Sequence, residues 1–115
     1  MTRDVQVYVA DILESIRKIE EYTKGASRDD FMANSQAQDA VLRRLEIMGE
    51  AAKGIGEDVR SKYPAVPWKE IAGLRDVLIH AYFGVNLERV WKVIEEDLPG
   101  LKRNLTLIYQ DLTGM

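Results

Sequence analysis

At 115 residues, 46% of them hydrophobic, the chain is long enough for one core and too short for two, so residues 1–115 are read as a single domain. It has no cysteine, which excludes a disulfide framework and a thiolate metal site. A formal net charge of −3 is unlike the basic surface of a non-specific nucleic-acid binder, so any nucleic-acid contact must be local.

The first stretch, Met1 to Ser15, carries Arg3, Asp4, Asp11 and Glu14 among its apolar residues. It reads as neither a signal peptide nor a membrane span, and a cytoplasmic protein without membrane contact is expected. Val5, Val9, Ile12, Ile16 and Ile19 recur every three or four residues, the stripe of an amphipathic helix running to about Tyr22. Lys24 and Gly25 end it. Ser27 with Asp30 forms a capping box for a short helix through Phe31 and Met32, and Ser35 with Gln38 a second one. Val41, Leu45, Met48, Ala52, Ile55 and Val59 then extend the helical spacing toward Arg60. Gly49, Gly54 and Gly56 each cost roughly 1 kcal/mol in a helix interior, so close packing or fraying is expected there.

Tyr63 to Pro67 must be a loop, because each proline pushes the residue before it out of the helical region. A helix over Trp68 to Phe83 follows, ended by Gly84. Asn86 caps the next helix, with Leu87, Val90, Trp91 and Ile94 on its buried face. Asp97 and Pro99 restart the chain in a last helix lined by Leu101, Leu105, Ile108 and Leu112. Trp68 and Trp91 are core anchors. No segment alternates with period two and no repeat is visible, so the fold class is all-α, an up-and-down bundle of about five helices with short loops.

Chemistry concentrates on Trp68 to Phe83. On a helical wheel with Arg75 at zero, Tyr82 falls at about −20°, Asp76 at about 100° and His80 at about 140°. Ile71, Leu74, Val77, Leu78 and Ala81 fill the other side, so one face packs and the other presents polar groups. The resemblance these residues carry implies an RNA substrate, and RNA brings its own nucleophile, the 2′-hydroxyl. Cutting it without metal needs a base, an acid and a cation to hold the charge building on phosphate. Imidazole titrates near ~6.5 and serves as either acid or base, while a guanidinium stays charged and grips two phosphate oxygens. His80 and Arg75 fit these roles. Asp76, one turn before His80, can orient its ring and favour the protonated form, or pair with Arg75.

His80 is the chain's only histidine. Paired acid and base work from one histidine per chain points to two chains meeting at the motif, where the small Ala72 and Gly73 would let a partner helix approach. Arg43, Arg44, Glu46 and Glu50 read as solvated pairs. Glu95, Glu96 and Asp97 read as a solvated acidic end, since consecutive residues point apart on a helix and no His or Cys completes a metal site.

Arg75, four residues, His80, one residue, Tyr82, with LEIMGEAAKGIGEDVRSKYPAVPW before and VNLERVWKVIEEDLPGL after, resembles the signature of HEPN-domain ribonuclease toxins of the HepT family across nearly the whole chain. The residue after the arginine is commonly Asn in that pattern. Here it is Asp76, whose carboxylate repels phosphate where Asn would not. The resemblance implies a HEPN-like bundle, a homodimer with a composite site between protomers, and Arg75 and His80 as catalytic residues. It also implies metal-independent cleavage of RNA such as a tRNA end, with no cofactor and no action on DNA. It further implies an MntA-type nucleotidyltransferase antitoxin that silences the toxin by placing AMP on Tyr82. A non-catalytic module that binds such a nucleotidyltransferase and presents its substrate is the alternative reading.

Overall fold

The computed structural model describes residues 4–74 and 86–114, and these are all-α, with no strand among them. Helix α1 spans Val5–Thr23, α2 Arg28–Met32, α3 Ser35–Lys53, α4 Glu57–Lys62, α5 Trp68–Ala72, α6 Leu87–Lys92 and α7 Leu98–Thr113, with a π-helical stretch Val93–Asp97 between the last two.

The apolar stripe of α1 buries as its spacing dictates. Val9, Ile12, Ile16 and Ile19 are fully buried, and α1 lies against both α3 and α7. From α3 come Val41, Leu45, Met48 and Ala52, and from α7 Leu98, Leu101, Leu105 and Ile108. At roughly 25 cal/mol per Å² of apolar surface removed from water, this three-helix layer supplies most of the burial that drives folding. Gly25 turns the chain out of α1 with φ 73°, a left-handed conformation that only glycine adopts without strain.

Helix α2 starts as the sequence indicates. Ser27 Oγ accepts from the Asp30 N–H at 3.1 Å, and the Ser27 N–H donates to Asp30 Oδ2 at 2.9 Å, a complete capping box. That backbone hydrogen bond, with the hydroxyl's help, holds the Asp30 carboxyl below its ordinary pKa. The second expected box is corrected. The cap of α3 is Asn34, whose Oδ1 accepts from the Ala37 N–H at 3.0 Å. Gln38 instead donates to the carbonyls of Phe31 and Met32 at 2.9 and 3.1 Å, sealing the end of α2 onto α3.

The helix expected to run on toward Arg60 ends at Lys53 and resumes at Glu57. Gly54 sits under the Tyr8 ring of α1, where a Cβ would come within 2.4 Å of ring carbon, so the close approach expected at these glycines is made here. Arg60 turns back from α4, Nη2 donating to the Ala52 carbonyl at 2.7 Å and Nε to that of Ile55 at 2.8 Å. These bonds tie α4 back onto the end of α3 and the turn that follows it. The last helix starts where expected, at Leu98 with Asp97 before it and Pro99 in its first turn, but the chain does not break there: the backbone stays helical from Leu87 to Thr113, widening through Val93–Asp97.

Candidate functional site

Arg75, Asp76, His80 and Tyr82 lie outside the described residues, so the site is built here from the two flanks that lead into and out of the stretch 75–85.

The entering flank hangs on Tyr63. Its carbonyl accepts the Trp68 indole N–H at 3.0 Å and the Val66 N–H at 3.3 Å, which folds the two-proline loop into a tight turn beneath α5. Its hydroxyl donates to Asp111 Oδ2 in the last turns of α7, and this hydrogen bond holds the Tyr63 pKa above its ordinary value. Val66, Trp68 and Ile71 are buried, and α5 packs on α3. Helix α5 then stops at Ala72, with the Gly73 N–H donating to the Lys69 carbonyl at 3.0 Å. The helix expected over Trp68 to Phe83 therefore has a boundary at Gly73, and the remainder of that expectation falls on 75–85. Ala72 and Gly73 are half-buried.

The leaving flank begins at Asn86, whose Oδ1 accepts from the Arg89 N–H at 3.2 Å and starts α6 as the sequence indicates. Trp91 is buried, its ring 5.4 Å from that of Phe31 on α2 and tilted by 30°. Arg28 of α2 reaches across sixty positions to Glu88, Nε donating to Oε2 at 2.8 Å and Nη2 facing Oε1, a two-pronged contact. An open depression of about 610 Å³ runs along this flank past Asn86, Arg89, Trp91, Lys92 and Glu95.

Charges away from the flanks fall as solvated pairs. Arg43 and Glu46 stand 3.5 Å apart on the exposed side of α3. Glu95, Glu96 and Asp97 are exposed on the π-helical stretch, with Glu96 3.9 Å from Lys92. Among the described residues no group of His, Asp and Glu is arranged to hold a metal ion. Nor is any described helix long and apolar enough to cross a membrane. Sequence reasoning passed over Arg28 with Glu88 and Tyr63 with Asp111; pairs sixty and forty-eight positions apart leave no mark in local periodicity.

A family model described as Ribonuclease HepT-like matches residues 12–108, a span that holds all four motif positions. The chain belongs to the HepT-like ribonuclease family. A relative from Thermococcus cleftensis named as a probable ribonuclease HepT is 47% identical over 89% of this chain and 93% of its own. A candidate RNase of Methanocaldococcus jannaschii is 44% identical over 92% of this chain and 97% of its own. A second protein of that organism, whose name joins a gamma-glutamylcyclotransferase to a candidate RNase, is 49% identical over 97% of this chain. The chain spans only 50% of that relative's length. No solved structure matches the chain.

Proposed function

We propose that this HepT-like chain is a metal-independent endoribonuclease toxin, a single cytoplasmic domain that works as a homodimer with Arg75 and His80 of both copies in one composite site. The observation that carries the reading is the family match over 12–108, because it encloses Arg75, His80 and Tyr82, which stand at the spacing of the signature the sequence resembles. His80 of one copy takes the proton of the 2′-hydroxyl. The 2′-oxygen bonds to the adjacent phosphorus as the bond to the 5′-oxygen breaks, and His80 of the second copy gives its proton to that leaving oxygen. Arg75 holds the charge on the phosphoryl oxygens. The products are a 2′,3′-cyclic phosphate and a 5′-hydroxyl. DNA lacks the attacking group and is left intact.

Cleavage of a labelled RNA in the presence of EDTA tests this reading. His80→Ala should lose on the order of 10² to 10⁴ in rate, the usual contribution of a general acid or base. Loss of cutting on chelation, or an unchanged rate in His80→Ala, removes the mechanism. Full growth arrest by His80→Ala would favour the binding-module reading.

Regulation follows the same chemistry. A nucleotidyltransferase antitoxin that transfers AMP from ATP to the Tyr82 hydroxyl, the phenol losing its proton as pyrophosphate leaves, would put an anionic phosphate and a bulky base beside Arg75, blocking RNA by charge and by volume. Intact mass after co-expression with that enzyme should rise by one or more AMP units in the wild type and not in Tyr82→Phe. No gain on the wild type, or an equal gain on Tyr82→Phe, would exclude Tyr82 as acceptor.

A further inference from the structure

The open depression along α6 carries its charges unevenly. Arg89 and Lys92 stand toward its Asn86 end, while Glu95 and Glu96 stand at the far end, Glu95 about 9 Å along the helix axis from Arg89. The third acid on its wall, Glu88, is already answered, because Arg28 of α2 takes both of its carboxylate oxygens. Arg89 is uncommitted. Its backbone N–H bonds to the Asn86 side chain, but among the described residues no acceptor meets its guanidinium. By contrast Arg17, Arg28 and Arg60 are each engaged by two acceptors. Lys92 reaches Glu96 only at 3.9 Å, with the two side chains 71% and 61% exposed, too open a contact to hold either group.

A free guanidinium beside an ammonium, with the nearest carboxylate neutralised, makes a local anion site on a chain whose formal charge is −3. Phosphate is the anion that a guanidinium grips on two oxygens at once. The separation from Glu95 is close to the screening length of about 8 Å at physiological salt, so each end of the depression acts on what lies next to it. Asn86, at the cationic end, is the residue that follows the stretch 75–85. We propose that Arg89, assisted by Lys92, binds one backbone phosphate of the RNA outside the scissile bond, and that Glu95 and Glu96 repel the next phosphates so that the strand does not continue along α6. The substrate class rests on the ribonuclease reading above; the arrangement of charge does not.

Fluorescence anisotropy with a labelled single-stranded DNA of mixed sequence, which lacks the 2′-hydroxyl, reads the subsite without the reaction. Arg89→Ala should bind this probe several-fold more weakly and flatten the dependence of log Kd on log salt by about 0.7, the share of one phosphate contact on a single strand. Arg89→Lys keeps the charge and should keep the slope. E95Q/E96Q should bind more tightly than wild type. In cleavage of a labelled RNA, Arg89→Ala should raise KM several-fold. Equal slopes for wild type and Arg89→Ala, E95Q/E96Q binding no better than wild type, or no binding of the probe by wild type overturn the proposal. If the wild type binds the probe with this dependence on Arg89 yet cuts no RNA, the ribonuclease reading fails and the phosphate subsite stands.

Discussion

The two flanks of residues 75–85 are held by different physics. Apart from the exposed bond of Tyr63 to Asp111, the entering flank is held by burial and by bonds close in sequence: Trp68 and Val66 bond to the carbonyl of Tyr63, Arg60 bonds to Ala52 and Ile55, and Val66, Trp68 and Ile71 are buried. The leaving flank is wet at its start and distant in sequence, with an exposed asparagine cap and an exposed ion pair to α2 ahead of its one large anchor, Trp91. Burial supplies free energy in proportion to area and is indifferent to small rotations. Exposed polar contacts supply little. The entering side thus carries most of the stability, and the leaving side is held chiefly at Trp91.

Stability measurements on matched variants sharpen this contrast first. Trp68→Ala should cost about 3–5 kcal/mol, the range for emptying a buried aromatic site, because it loses both packing and the bond to Tyr63. Asn86→Ala should cost about 1 kcal/mol, the usual loss of a side-chain cap. Chemical denaturation of both variants checks the order. A larger loss at Asn86 than at Trp68 would reverse the assignment of stability to the entering side.

The smallest effect is confined to alkaline solution. The hydrogen bond from Tyr63 to the Asp111 carboxylate raises the pKa of the phenol, so the folded chain holds that proton more tightly than the unfolded one. The stabilisation is complete below the ordinary tyrosine value of about 10 and fades as pH climbs through the raised value. Tyr63→Phe should therefore be less stable than wild type at neutral pH, with the gap closing above about pH 10. A gap of constant size across that range, in urea midpoints taken at each pH, would show that the phenol contributes by packing alone.

Much of the bundle was legible because it obeys short-range rules. The stripes of α1 and α7, the Ser27 box, the proline loop and the Asn86 cap all depend on residues within one or two turns of each other. The break at Gly54 was hidden because Ile55 and Val59 continue the apolar spacing of α3, while its cause is the Tyr8 ring from another helix. The shift of the α3 cap from Ser35 to Asn34 has a similar origin: either residue can cap, and Gln38 is occupied by the end of α2. At the candidate site the sequence supplied the chemistry of Arg75, Asp76, His80 and Tyr82. It could not supply the supports, since periodicity tells which face of α2 or α4 is turned inward but not that Arg28 meets Glu88 or that Tyr63 meets Asp111.

The π-helical stretch Val93–Asp97 makes chain length itself a specification. Upstream of it Trp91 must face α2, and downstream of it the buried Leu98, Leu101 and Leu105 belong to a helix that packs on α1, on one uninterrupted helical backbone. A π turn holds one residue more than an α turn, so the two sets of anchors stay in phase across that extra residue. Val93 and Ile94 pack against the core while Glu95, Glu96 and Asp97 are exposed, so only the acidic side of the joint can drift in identity. A further inserted residue, unlike the one the wide turn already takes up, would swing one set of anchors by about 100° against the other.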